Sequence, residues 1–316
     1  MSRLLASTAA AIAMVSACAT PGSQLELEEL SDPPAAWSME ALDTAPLLAG
    51  WLAAIDDPHL TAVVTEALEA NPDLGAARGR LNRARALLSQ TRAAQGPSVS
   101  ASGSGSMTEG LDGGSDTTSY GAAITASWEA DLWGRLASAT EADARAAASA
   151  EADFQAAQKL IAASTAQAYF VLIEARQLAD VERTNLDSLE ETLGFVSIQF
   201  ERGLRSSEDI ALIRADVETA RAGLDLAEQT KRNAARAIEI LVGRYPAASL
   251  EVKAEPPSRP AQSTVGLPAD VLQRRPDVRA AKLSLLAEHA RTFSARADLL
   301  PRLSAQASFS CENSSL

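Results

Sequence analysis

Apolar residues along this chain follow two different periods, and each change of period marks an element boundary. Leu60, Val63, Val64, Ala67 and Leu68 are spaced three and four apart, which predicts an amphipathic helix. Asp56 and Asp57 stand before Pro58, giving a side-chain cap followed by a proline that the first turn tolerates. Asn71-Pro72 interrupts or restarts this helix, which then runs to about Ala94 before Gly96-Pro97 stops it. Beyond that point the period falls to two. Tyr120, Ala122, Ile124, Ala126, Trp128 and Ala130 alternate with Gly121, Ala123, Thr125, Ser127, Glu129 and Asp131, predicting a strand with one apolar face. Ser98 to Met107 alternates small residues in the same way. The Gly/Asp/Ser-rich stretch Thr108 to Ser119 between the two implies an antiparallel pair. One apolar and one polar face suits a membrane barrel or a soluble sandwich, and this segment alone leaves both open.

The helical period then returns and persists. From near Leu136 to about Arg202 the chain has no proline and only Gly194 as a breaker. Its last part carries Leu186, Leu189, Leu193, Val196 and Phe200, and after "RGLRSS" the pattern resumes at Ile210, Ile213, Val217, Ala220, Leu224, Ala227, Lys231, Ala234, Ile238 and Leu241. Lys231 alone breaks the seam. Two heptad arms joined by a short Gly-containing turn predict an antiparallel helical hairpin; ordinary core helices are the other reading.

The next helix repeats the first. Shifting the chain by 204 positions superposes "LEANPDLGAA", Leu68 to Ala77, on "LQRRPDVRAA", Leu272 to Ala281, and Pro97 on Pro301; 13 of the 37 positions from Leu68 to Ser104 are identical. Alanine-rich composition cannot align two prolines, so the pattern is an internal duplication. In the second copy Gly266-Leu267-Pro268 opens the helix, Pro276 kinks it, Pro301 ends it, and Arg302 to Ser310 alternates as a strand.

Charge narrows the partners. With a net charge of -13 and a pI near 4.7, the chain lacks the clustered Lys and Arg that a nucleic-acid backbone requires, and its acidic residues spread along solvated helix faces. At the amino terminus Arg3, an apolar run from Leu4 to Val15 and "VSAC" form a secretory signal. Cysteine after Val-Ser-Ala matches a bacterial lipobox, with Cys18 as the acylated first mature residue; a plain signal with an incidental cysteine is the alternative. Ala19, rather than Asp, implies sorting to the outer membrane. The second cysteine, Cys311, has no partner once Cys18 is acylated, so a disulfide scaffold is excluded. No later run of about 18 apolar residues exists, and a membrane crossing would have to use strands. His59 and His289 lack ligands at metal spacing, and no nucleophile elbow or phosphate loop is present, which disfavours an enzyme and predicts no cofactor.

Together the lipobox cysteine, "SWEADLWGRL" at Ser127 to Leu136, "GLRSSEDI" at Gly203 to Ile210, "LVGRYP" at Leu241 to Pro246, "GLPADVLQRRPDVRAA" at Gly266 to Ala281 and "PRLSAQAS" at Pro301 to Ser308 resemble the NodT branch of the TolC-like outer membrane factors. The resemblance implies a duplicated, mainly helical subunit with a small β part. Three subunits would form a membrane β-barrel joined to a periplasmic helical barrel built from coiled-coil hairpins. It implies a passive efflux conduit, lipid-anchored in the outer membrane, whose partners are a periplasmic adaptor and an inner-membrane pump. The hairpin tip, Gly203, Leu204, Arg205 and Ser206, would meet the adaptor, although Arg205 could serve the turn alone. Trp128 and Trp133 would sit at a membrane interface or pack into the junction between strands and helices.

The implied organisation is a signal peptide at 1–17, an acylated extended arm at 18–57, a first repeat at 58–265 and a second repeat at 266–316 lacking its second strand and helical hairpin. The shortfall, together with a "CENSSL" tail that has no counterpart in the first copy, leads to the expectation of a C-terminal truncation, with gating residues in the missing part. It also leaves two rivals open: a non-functional fragment, and a periplasmic lipoprotein acting as a spacer or binding module.

Overall fold

The computed structural model describes residues 51–108, 117–253, 255–257 and 268–315. Cys18, the signal peptide, most of the amino-terminal arm and Gly266-Leu267 lie outside them. The order of elements is α1 (Trp51–Ile55), α2 (Pro58–Ala70), α3 (Pro72–Ala93), β1 (Ser98–Thr108), β2 (Thr117–Ala130), α4 (Arg135–Glu201), α5 (Ser207–Leu241), α6 (Pro268–Arg274), α7 (Pro276–Ala297) and β3 (Leu303–Ser315). The protein is mainly helical with one small antiparallel sheet, as the periods predict. The arm expected to stay extended to residue 57 instead ends in α1. Leu52 and Ile55, three apart, explain this by packing one helical face on the adjoining core.

The chain forms two compact units. Among the described residues, one comprises those within 79–153 and 275–315, the other those within 51–78 and 154–274. In the second, Leu60, Val64 and Ala67 of α2, Ile161, Tyr169, Leu172 and Ile173 of α4, and Ile238 of α5 share a core. Burying each large aliphatic side chain contributes about 1.5–3 kcal/mol. Asp57 caps α2, accepting from the His59 and Leu60 amides at 2.8 and 3.2 Å, and its other carboxylate oxygen accepts from the Tyr169 hydroxyl at 3.1 Å. Burial, then this carboxylate, pushes the Tyr169 pKa up to about 12. Farther along, Leu186, Val217 and Ala220 are buried between the arms, with Leu189, Leu193 and Leu224 packed on them.

Two details of the seam differ from its sequence pattern. Phe200 is 41% exposed, so the apolar contact between the arms stops short of the turn. Lys231 is not an unpaired break: its ammonium lies 2.6 Å from Glu228, which also meets Arg183 of α4 at 2.6 Å.

In the first unit α7 packs antiparallel to the start of α4. Ser149 donates to the Ala280 carbonyl at 2.9 Å, and Ser294 to the Arg135 carbonyl at 3.1 Å. Alanines are buried on both helices, Ala142, Ala147 and Ala152 on α4 and Ala280, Ala287, Ala290 and Ala297 on α7. The duplication is visible in the elements themselves. Helices α3 and α7 both have 22 residues and both begin at the proline of a Pro-Asp pair, 204 positions apart. Their caps differ. Asn71 accepts from the Leu74 amide at 3.0 Å and donates to the Leu241 carbonyl at 2.8 Å, whereas Arg275 makes no cap and pairs with Asp277. Strand β3 continues through Cys311 to Ser315, so most of the tail without a counterpart belongs to the sheet.

Candidate functional site: the hairpin tip and the sheet

The turn between α4 and α5 is built by backbone geometry. Gly203 adopts φ +74°, a left-handed conformation that costs a side-chain-bearing residue energy. Its amide donates to the Phe200 carbonyl at 2.8 Å and the Leu204 amide to Gln199 at 2.9 Å, the bond pair of a Schellman stop. Ser206 then starts α5 through a reciprocal capping box. Its hydroxyl accepts from the Asp209 amide at 3.2 Å, and the Asp209 carboxylate accepts from the Ser206 amide at 3.0 Å. The Ser206 amide and hydroxyl, with Arg205 behind them, hold the Asp209 carboxyl below its ordinary pKa.

All four tip residues singled out from the sequence therefore sit together between the two helix ends. Leu204 projects with 70% of its surface exposed, and Arg205 donates to the Gln199 side chain at 3.0 Å. Gln199 and Asp209 were not among the expected tip residues. The Ser-x-x-Asp spacing could have revealed Asp209; Gln199 carries no local signal.

The sheet has the order β1-β2-β3, antiparallel throughout. Ala126 of β2 lies opposite Val99 of β1 and Ala307 of β3, and this register sorts side chains by character. Every large apolar residue of the described strands, Val99, Met107, Tyr120, Ile124, Trp128, Leu303 and Phe309, falls on one face, and each is exposed. The opposite face carries Ser98, Ser100, Ser102, Ser104 and Ser106 of β1 against Ser127, Thr125, Ala123, Gly121 and Ser119 of β2, and Ser304, Gln306, Ser308 and Ser310 on β3. Its hydroxyls bond across strands: Ser98 meets Ser127 at 2.8 Å and Ser106 meets Ser119 at 2.7 Å.

Both tryptophans take part in the junction between strands and helices. The Trp128 indole N–H donates to the Gln95 carbonyl at 3.1 Å, just before β1, and that of Trp133 to the Pro301 carbonyl at 2.8 Å, just before β3. Between them, Asp131 caps α4 by accepting from the Leu136 and Ala137 amides at 3.1 and 2.8 Å, and Arg135 makes a bidentate pair with Glu129.

Among the described residues no cluster of His, Cys, Asp and Glu could hold a metal ion, and no helix is long and apolar enough to cross a membrane. The described features are thus an exposed apolar sheet face and a backbone-built hairpin tip. Residues 63–244, more than half of the chain, match the outer membrane efflux protein family, and the chain belongs to it. Over 280 residues it is 31% identical to the probable efflux pump outer membrane protein TtgC of Pseudomonas putida, covering 86% of this chain and 58% of that protein. Over 273 residues it is 30% identical to the pyoverdine export outer membrane protein OpmQ of Pseudomonas aeruginosa, covering 82% and 57%. The chain thus spans less than three fifths of the length of these relatives. Its fold matches the solved outer-membrane channel OprN with a TM-score of 0.75 and 26% identity, over 94% of this chain and 73% of that one.

Proposed function

We propose that this chain is a subunit of an outer membrane channel in a tripartite efflux system. It would act as a passive conduit for small molecules delivered by an inner-membrane pump through a periplasmic adaptor. The observation that carries this reading is the sorted sheet. A face of Val99, Met107, Tyr120, Ile124, Trp128, Leu303 and Phe309 in water would be a large exposed apolar patch, whereas against acyl chains it is solvated and the serine face lines the aqueous path. The three described strands cannot close a barrel, and open edges in lipid leave backbone groups unsatisfied, so further strands must complete it, those of other copies in a homotrimer among them by family likeness. Acylated Cys18 anchors the chain to the outer membrane, and Leu204 with Arg205 meets the adaptor. The chain carries out no chemistry, and energy and choice of cargo belong to the pump.

The test is expression with the cognate adaptor and pump in a Gram-negative host lacking its own outer membrane efflux channel, with accumulation of a fluorescent dye as readout. Wild type lowers accumulation and runs as a heat-resistant oligomer from outer membranes. Leu204→Asp abolishes the drop in accumulation while leaving the oligomer intact. A soluble monomer after removal of the lipid would instead support the spacer, and wholly aggregated protein the fragment.

A further inference from the structure

We propose that Trp128 and Trp133 are register-setting residues, each pinning one neighbour of β2, so that their indole N–H groups decide how far β1 and β3 are staggered against β2 and hence at what height along the conduit their side chains lie. The need for such pins follows from the strands. Register is well specified where bulky side chains interlock or a tight turn joins the strands, and poorly specified between strands of small residues. Here Ala122, Ala126 and Ala130 lie opposite Cys311, Ala307 and Leu303, and Gly105, Gly103 and Ala101 oppose Tyr120, Ala122 and Ile124. A slip of two residues leaves small residues opposite small residues at little cost and moves a strand by about 7 Å. A slip of one transfers Leu303 and Phe309 to the serine face. Chain connection gives little help: β2 and β3 are far apart in sequence, and β1 and β2 are separated by more residues than the two-residue loops that fix hairpins.

The pins stand where the strands begin. Gln95 and Pro301 lie in the two copies of the same helix-to-strand junction, two positions apart in the repeat, and both carbonyls are held by indoles from the segment Trp128 to Trp133. The segment is itself immobilised. Arg135 is paired with Glu129 and lies 3.7 Å from Asp298 at the end of α7, its carbonyl accepts from Ser294, and Asp131 fixes the corner to α4. Each indole therefore refers its strand to a helix rather than to its neighbour's side chains. The consequence for the conduit rests on the channel reading, whereas the register itself is measurable with or without transport.

The experiment uses the full chain with Cys311→Ser and one fixed thiol, Ala126→Cys, which faces both neighbouring strands. It is combined in turn with V99C or A101C on β1 and A305C, A307C or F309C on β3, followed by mild oxidation and mapping of the disulfides by peptide mass. With both tryptophans present, only V99C and A307C cross-link. Trp133→Phe keeps the ring but removes the donor; it is expected to move the β3 cross-link to A305C or F309C and leave V99C unchanged. Trp128→Phe is expected to shift the β1 partner toward A101C and leave A307C unchanged. Native cross-links retained in both variants would overturn the proposal. So would equal loosening of both strand pairs, or loss of the sheet altogether, in either variant, because the tryptophan would then serve general stability.

Discussion

At the residue scale, Glu239 is the most constrained carboxylate among the described residues, 1% exposed on α5. It accepts from the Ala248 amide at 2.7 Å, the Ser249 amide and hydroxyl at 2.7 and 3.0 Å, and the Leu250 amide at 3.1 Å. Burial alone raises its pKa, but these four donors outweigh it and hold the group below its ordinary value. A depressed carboxyl stabilises the fold above the unfolded-state pKa, and that contribution is lost as pH falls through the folded-state pKa. Glu239→Gln is therefore expected to lower stability at pH 7 by about 2 kcal/mol. The gap to wild type should narrow below about pH 4.5, as read by thermal unfolding of the helical signal. A gap independent of pH would mean that the charge is not what the donors hold.

Two glycines with nearly equal backbones separate strain from crowding. Gly203 and Gly243 have φ +74° and +72°, but an added Cβ meets nothing within 4 Å at Gly203 and lies 2.7 Å from the Ala70 carbonyl oxygen at Gly243. Gly203→Ala should cost about 1–2 kcal/mol. Gly243→Ala should cost a further 1–3 kcal/mol or so from overpacking, giving a clear difference between their melting temperatures.

At the scale of the element, the hairpin joins a seam that tolerates a lysine to a turn that depends on one serine. Ser206→Ala removes the acceptor for the Asp209 amide and is expected to cost about 1 kcal/mol. It should also raise hydrogen exchange in the first turn of α5 while the seam around Val217 stays protected. Lys231→Leu restores the apolar repeat and leaves Glu228 paired with Arg183, so stability should change by less than about 1 kcal/mol.

The hairpin was legible in the sequence because a seam is a local pattern: each residue's burial depends on neighbours three and four positions away. The strands and the proline-started helices were legible for the same reason. Glu239 was not, since a glutamate among Ile238, Ile240 and Leu241 shows nothing of the amides nine to eleven residues later that receive it. Nor was the bond from Trp133 to Pro301, whose partners come together only once α7 lies on α4. The sequence offered the tryptophans a junction role, and only tertiary contact named the carbonyls they bond.

At the scale of the whole molecule, the apolar residues that the seam does not use matter most. Val181, Phe195, Leu212 and Leu226 of the hairpin arms are each at least 60% exposed. In the proposed trimer such positions meet neighbouring subunits. Leu226→Glu combined with Val181→Glu is expected to convert the detergent-solubilised oligomer to monomer by size-exclusion chromatography, with the helical signal unchanged. If the oligomer persists, assembly uses another surface.

The segment from Trp128 to Arg135 reaches the helix-to-strand junctions of both copies. Duplication usually frees one copy to drift while the other keeps the ancestral role. Here one corner is bonded to two junctions, so changes in either junction must remain compatible with the same few residues. The two halves are thus linked in their histories: selection on the second copy's entry into the sheet acts on tryptophans that belong to the first.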